Sequence, residues 1–184
     1  MVALTLRLCA AAAALLLACG PVLAQVEPER AEAQIKAAFL YKFGGFIEWP
    51  PRAFARPDAS FTIGVIGAEA IAAELEQLTA GRTVQDRPVV VRRLKPADAL
   101  SGVQVLFVGR AESARLGEVL DAARSEPLLI VTESADALAK GSTINFVQEA
   151  NRVRFDVALA QAERASLRIS ARLLAVARKV VTSS

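Results

Sequence analysis

Apolar residues recur along this chain with two different periods, which divide it into helices and strands. Between Ile35 and Phe46 they are three and four residues apart, and this spacing predicts an amphipathic helix that begins near Glu27. Trp-Pro-Pro at residues 49–51 ends this helix, because a residue before proline is disfavoured in the helical conformation.

Short apolar runs alternate with further helical segments over the rest of the chain. Around residues 148–151, two runs of alternating apolar and polar residues predict a β-hairpin with one solvated face. This order of elements predicts one α/β domain, with a mostly parallel sheet, helices on both faces, and a C-terminal antiparallel hairpin plus helix. The predicted strands are 61–66, 88–92, 103–108, 127–131, 143–147 and 152–157, and the predicted helices are 68–78, 111–123 and 166–181, with a helical turn at 136–140.

The first 24 residues have the three parts of an export signal. A positive residue precedes the apolar run Leu8–Ala18, and small residues lie three residues and one residue before a cleavage site after Ala24. The run is much shorter than the roughly 20 residues that span a bilayer. We therefore expect cleavage between Ala24 and Gln25, which removes residues 1–24 and leaves residues 25–184 as one domain in the periplasm.

A lipoprotein signal is the alternative interpretation of the same segment. Leu-Leu-Ala-Cys at residues 16–19 would be cleaved before Cys19, and the lipidated cysteine would anchor the domain facing the periplasm. Without that anchor, we expect the domain to meet a membrane only indirectly. Cys9 and Cys19 are the only cysteines, so the domain after Ala24 has no thiol for a disulfide, a metal site or catalysis.

The amino-acid inventory argues against catalysis. The chain has no histidine, which excludes Ser-His-Asp and Cys-His devices and removes the commonest metal ligand. We therefore expect no enzyme activity, no cofactor and no metal. A net charge of +3 is too small to indicate a nucleic-acid partner. Two carboxylate pairs could in principle serve acid–base catalysis: Glu74 with Glu76, and Asp156 with Glu163. We interpret them as solvated side chains, since no nucleophile with a base can be assembled beside them.

The carboxyl ends of the predicted strands are one candidate site. Gly67 follows the first strand, Gly109 follows the third, and Glu133 follows the fourth. Open α/β sheets bind ligands at this edge, so a periplasmic small-molecule-binding protein is the alternative function. The glycines form no phosphate-binding motif, and we interpret both as residues of tight strand-to-helix turns.

The most unusual segment is AAFLYKFGGFIEWP, residues 37–50, which holds five of the ten aromatic residues. Core packing accounts for one face of the predicted helix, and Trp49 is interpreted either as a core residue or as a partner contact. On the predicted last helix, Arg164, Arg168 and Arg172 are four residues apart and share one side, which suits either an acidic partner or solvent. The candidate partner-binding residues are Tyr41, Phe46, Trp49, Pro50, Arg168 and Arg172.

Two segments of the chain carry a resemblance to a known family. KAAFLYKFGGFIEWP, residues 36–50, is similar to the opening of the YfiR-like family of periplasmic regulators. GSTINFVQEANRVRFDVALAQAERASLRISARLLAVARKV, residues 141–180, looks like the closing hairpin and helix of that family, and VGRAES and LLIVTES fit its strand ends. The resemblance covers about residues 30–181.

This resemblance implies a regulatory protein rather than an enzyme. YfiR-like proteins restrain a membrane-bound diguanylate cyclase by contacting its periplasmic sensor domain, which lowers cyclic-di-GMP and disfavours biofilm growth. The implied partner is therefore a diguanylate cyclase or a similar membrane sensor, and, because family members are often dimeric, also a second copy of the chain as a homodimer. Redox control through the family's disulfides does not carry over, since residues 25–184 contain no cysteine.

Overall fold

The computed structural model describes residues 20–182, with side chains from Glu27 onward. Residues 1–19 of the predicted signal, which include Cys9 and Cys19, lie outside the described residues. The expected cleavage point between Ala24 and Gln25 falls within the first helix. The helices are α1 (Gly20–Gly45), α2 (Glu69–Thr79), α3 (Leu116–Ala123), α4 (Ala137–Lys140), α5 (Leu159–Arg164) and α6 (Ala171–Val176), with 3-10 helices at Pro51–Ala53 and Arg110–Arg115. The strands are β1 (Ile47–Glu48), β2 (Phe61–Ile66), β3 (Thr83–Val84), β4 (Arg87–Leu94), β5 (Val105–Val108), β6 (Leu129–Thr132), β7 (Ile144–Glu149), β8 (Arg152–Ala158), β9 (Arg168–Ile169) and β10 (Lys179–Val181).

Eight of the strands described for residues 20–182 form one sheet in the order β10-β8-β7-β6-β5-β2-β4-β3. Strands β4, β2, β5, β6 and β7 are parallel, and β7 and β8 form an antiparallel hairpin. The predicted α/β fold with a mostly parallel sheet is therefore confirmed. We name the end of the sheet where β2, β5 and β6 begin the amino edge, and the end where they finish the carboxyl edge.

Side chains along each strand point alternately to opposite sides of the sheet. Apolar side chains therefore lie on both faces, and helices cover both. On one face, Phe107 lies in a core with Leu40 and Phe43 of α1. On the other face, Leu106 lies in a second core with Leu116 of α3. None of the helices described for residues 20–182 has the length and apolar composition that crossing a bilayer requires.

The prediction of one helix over residues 166–181 is wrong. This segment contains β9, α6 and β10 instead. Ser166 has a φ of +60°, a left-handed conformation that ends the helical path after α5. Strand β9 then pairs with β1, and β10 pairs with β8, so tertiary hydrogen bonds override the local helical propensity of the apolar pattern.

The β7–β8 hairpin is confirmed, but its turn and one of its faces differ from the prediction. The turn has two residues, Ala150 and Asn151, whose φ values are +48° and +58°. The face predicted to be solvated holds the buried side chains of Asn145 and Asp156. Strand β10 and helix α4 flank this face and leave a groove of about 680 Å³ along it.

Candidate functional site

The crevice between the carboxyl ends of β2 and β5 is closed by the two loops that follow these strands. Gly67 has a φ of +65°, which confirms its predicted place in a tight turn. Gly109 has a negative φ, so the prediction that it is needed for a tight turn is wrong. Its N–H donates to the Ile66 carbonyl at 2.8 Å. Glycine is required because a Cβ here would collide with the Gly67 carbonyl and lie 2.9 Å from Ala68 Cβ. The two loops are therefore in direct contact at Gly67 and Gly109, and a cavity lined by residues of both loops lies beside this contact.

A buried ion pair lies beside this closed crevice. Lys36 of α1 is 4% exposed, and its Nζ donates to carboxylate oxygens of both Glu32 and Glu133. The other oxygen of Glu133 accepts a hydrogen bond from the Arg110 backbone N–H at 2.9 Å. Both Glu133 oxygens are therefore occupied, which satisfies a carboxylate that would be costly to bury alone. Glu133 was expected at this edge from the sequence, whereas Lys36 was missed.

Two cavities flank Glu133, and their linings differ in charge. The cavity on the α1 side, of about 320 Å³, is lined by three further carboxylates besides Glu133. The cavity on the α4 side, of about 400 Å³, is lined by Arg110, Ser113, Ser134 and Lys140 together with Glu133. The Ser134 hydroxyl is buried and has no hydrogen-bond partner among residues 20–182.

The aromatic segment lies at the opposite end of the sheet, the amino edge. Trp49 is half-buried, with its ring perpendicular to Phe61 at a centroid distance of 5.4 Å. Its indole N–H donates to the Gly44 carbonyl at 3.2 Å. Gln85 also donates to the Gly44 carbonyl, at 3.3 Å, and to the Ile47 carbonyl, at 2.9 Å. Trp49 is therefore in part a structural residue that fixes the loop after α1.

The β1–β9 ladder brings most of the candidate partner-binding residues together. It pairs Glu48 with Arg168, whose guanidinium lies 3.6 Å from the Glu48 carboxylate. The Ser170 N–H then donates to the Phe46 carbonyl at 2.9 Å, which positions α6 beside the loop. We name the resulting surface the amino-edge patch; its residues are Phe46, Trp49, Pro50, Arg168, Arg172 and Val176.

Two members of the patch lie on α6, four residues apart. Arg172 is exposed, and Val176, at 57% exposure, is the most exposed large apolar side chain of the part that the structure describes. Tyr41 is held elsewhere, because its hydroxyl donates to the Thr83 carbonyl at 3.0 Å.

The basic side shared by Arg164, Arg168 and Arg172 does not exist, since the three residues lie on α5, β9 and α6. A fourth arginine of the segment, Arg178, is bound to a carboxylate instead. Its Nε donates to Asp156 Oδ1 at 2.8 Å, and this hydrogen bond raises the pKa of the guanidinium. Asp156 was interpreted as solvated, but it is 6% exposed and paired.

Two of the other three carboxylates named from the sequence have arginine partners. Glu74 lies 3.3 Å from Arg30, and Glu76 binds Arg93. Glu163 is exposed, as expected. Over residues 20–182, no three side chains of the Asp, Glu, His or Cys type converge as metal ligands.

Comparisons with known proteins place these features in a family. Residues 33–178, most of the chain, match the model of the family described as DUF4154, YfiR/HmsC-like. A comparison with curated proteins returned no match.

Two solved structures are similar to this chain at low identity. One is a conserved domain protein from Vibrio cholerae O1 biovar El Tor, with 15% identity and a TM-score of 0.47 over 65% of this chain and 54% of that one. The other is the ABC domain from Streptococcus pneumonia in complex with L-Trp, with 14% identity and a TM-score of 0.48 over 66% of this chain and 55% of that one. The chain thus spans about half the length of each solved protein.

Proposed function

The chain belongs to the YfiR/HmsC-like family of periplasmic regulators, and from that premise we propose that it restrains a membrane-bound diguanylate cyclase by binding the cyclase's periplasmic sensor domain. Restraint lowers cyclic-di-GMP in the cell. The observation that carries the proposal is the family match over residues 33–178, which includes every residue of the amino-edge patch.

The amino-edge patch has the chemistry of a protein-binding surface. It combines half-buried aromatic side chains with exposed arginines, the residue types that carry most binding energy in protein interfaces. Arg168 has the Glu48 carboxylate nearby, whereas Arg172 has no ion pair among residues 20–182. The patch is therefore net positive, and the surface of the sensor domain that it contacts is expected to be acidic with an apolar centre.

Regulation by this surface requires no reaction at the regulator. A protein that binds the inactive state of the cyclase more tightly than the active state shifts the equilibrium by that difference in affinity alone. To reverse a 99:1 population of active cyclase, the difference must be about 10⁴-fold. We propose on this basis that the protein is not an enzyme.

The test is a gene deletion complemented with variants of the patch. Deletion is expected to raise cyclic-di-GMP, and the wild-type gene is expected to restore the lower level. The charge reversals Arg168→Glu and Arg172→Glu should fail to restore it, and should weaken binding to the purified sensor domain by about tenfold or more, because like charges then face each other. Arg115→Glu is the matched control, since Arg115 is 48% exposed and lies on the 3-10 helix after β5. An unchanged cyclic-di-GMP level after deletion contradicts the proposal.

Export and assembly are separate parts of this proposal. The intact mass of the periplasmic protein distinguishes an N-terminus at Gln25 from a lipidated Cys19, and retention of the leader in the cytosol contradicts both.

The proposed homodimer is tested by light scattering on the purified domain. A monomer at every concentration contradicts the homodimer but leaves the cyclase hypothesis standing.

A further inference from the structure

We propose that the cavity on the α4 side of Glu133 binds a small anion through oxygen atoms of a carboxylate or phosphate group. The site does not depend on the cyclase or on the amino-edge patch, which lies at the other end of the sheet. Three observations carry the inference: an unpartnered buried hydroxyl, an excess of positive charge, and the place of the cavity in the fold.

The hydroxyl belongs to Ser134, in the loop that follows β6. Ser134 is 8% exposed, its backbone N–H donates to Asn145 Oδ1 at 3.2 Å, and its Oγ has no partner in the part of the chain that the structure describes. A buried hydroxyl without a hydrogen bond costs free energy, and native proteins contain few of them. Ser134 lines the cavity, and its Oγ is covered from solvent in the conformation described. Rotation of the hydroxyl toward a ligand oxygen in the cavity would supply the missing hydrogen bond.

The charge of the cavity follows from how Glu133 is bound. Its two oxygens bind Lys36, which is shared with Glu32, and the Arg110 backbone N–H, so part of its negative charge is balanced from the α1 side. The Arg110 guanidinium lies 3.8 Å from Glu133 and is 69% exposed. Lys140 has no ion pair among residues 20–182. Two cations thus face the α4-side cavity, where an anion can be held by charge-assisted hydrogen bonds.

The cavity also lies where an α/β sheet binds ligands. It is at the carboxyl edge, beside the ends of β5 and β6, and contact between Gly67 and Gly109 closes the neighbouring crevice. A volume of about 400 Å³ suits a small molecule. The lining of the α1-side cavity has four carboxylates against two cations, Lys36 and Arg110, whereas that of the α4-side cavity has one carboxylate against two cations. The α4-side cavity is therefore the more favourable place for an anion.

Titration of the purified domain with inorganic phosphate and with succinate tests the site, with succinamide as the uncharged control. Binding is followed by calorimetry and by the backbone amide resonances of Arg110, Ser134 and Lys140. We expect saturable binding of at least one anion below about 10 mM, a weak but measurable affinity. The better of the two anions identifies the group that the site prefers, and succinamide should not bind.

Variants separate a built site from general attraction to a basic surface. Lys140→Gln and Ser134→Ala should each weaken anion binding by about tenfold, the usual effect of losing a hydrogen bond to a charged group. Arg56→Gln is the control, because Arg56 is 73% exposed and lies outside the cavity lining. Ser134→Ala should also leave the melting temperature of the ligand-free domain unchanged or raised, since it removes a hydroxyl that has no partner.

Two outcomes overturn the proposal. One is the absence of binding by both anions at about 10 mM, which corresponds to an affinity too weak to be specific. The other is equal affinity of the wild type, Lys140→Gln and Ser134→Ala. A cyclase that is regulated normally would be compatible with either result, so failure here is distinguishable from failure of the proposed function.

Discussion

The two edges of the sheet satisfy their polar groups in different ways. At the amino edge, side chains bind nearby backbone: Trp49 and Gln85 both donate to the Gly44 carbonyl, and Gln104 binds the backbone of Thr62 and Ala53. At the carboxyl edge, charges are buried in pairs and one hydroxyl has no partner within residues 20–182. Local backbone bonds stabilise one geometry, whereas buried charges and unpartnered groups suit binding. The difference suggests a rigid docking surface at one edge and a ligand site at the other.

The largest effect is expected from breaking the buried pair at the carboxyl edge. Glu133→Gln leaves Lys36, whose side chain is 5% exposed, with Glu32 alone. Because the buried ammonium of Lys36 loses one of its two carboxylates and keeps only the more exposed one, we expect a loss of about 3 kcal/mol in the free energy of unfolding, the low end of the cost of breaking a buried pair. Urea denaturation measures this loss.

Two further variants make that prediction specific to burial. The double variant Lys36→Met with Glu133→Leu removes both charges and should recover most of the lost stability. Asp58→Asn breaks a pair whose side chains are 73% and 78% exposed, and no measurable change is expected. Equal losses for Glu133→Gln and Asp58→Asn would show that the carboxyl edge does not differ from ordinary surface.

The contact that closes the carboxyl-edge crevice is expected to rank second. Gly109→Ala places a methyl group against the Gly67 carbonyl, and overpacking of this kind costs about 2–3 kcal/mol. Gly117→Ala is the matched control, because a Cβ there meets nothing within 4 Å and alanine favours the helix by up to about 1 kcal/mol. Opposite signs are expected in thermal unfolding, and two losses of equal size would contradict the close contact.

The parts of the fold that depend on long apolar runs could be predicted from the sequence. Strand β2 has the predicted bounds because a strand buried on both faces is a continuous apolar run. Strands β1, β3 and β9 have two residues each and show no period, so they could not be found. Without β1 and β9, the pattern of the last segment of the chain is that of one helix, and a single helix would place its arginines on one side.

Residues of the candidate sites could be predicted from the sequence only where the residue type is itself distinctive. Aromatic residues and the glycines after strands were visible in the sequence, and the structure gives them defined places. The pair of Lys36 with Glu133 joins residues 97 positions apart, and no local pattern marks such a contact. Ser134 is an ordinary serine in the sequence; only its burial without a partner distinguishes it.

A smaller effect is expected at the amino edge. Trp49→Phe keeps an aromatic ring beside Phe61 but removes the hydrogen bond to the Gly44 carbonyl, which Gln85 still binds. The expected loss is about 1 kcal/mol in urea denaturation, the usual contribution of one hydrogen bond. Tyr41→Phe, which loses a more exposed bond to Thr83, should cost less. A stable Trp49→Phe variant with weakened partner binding would make Trp49 a contact residue rather than a structural one.

The smallest effect compares two left-handed turns, one at each edge. Ala150, in the β7–β8 turn that follows the carboxyl edge, has a φ of +48°, and Gln85, in the β3–β4 turn at the amino edge, has a φ of +49°. Asparagine tolerates this conformation better than either residue does. Ala150→Asn should therefore raise the free energy of unfolding by about 0.5 kcal/mol, or about 1–2 °C in melting temperature. Gln85→Asn relieves the same strain but shortens the side chain that binds the Gly44 and Ile47 carbonyls, so a net loss of about 0.5 kcal/mol is expected. Two gains of equal size would mean that the side-chain bonds of Gln85 add nothing to the rigidity of the amino edge.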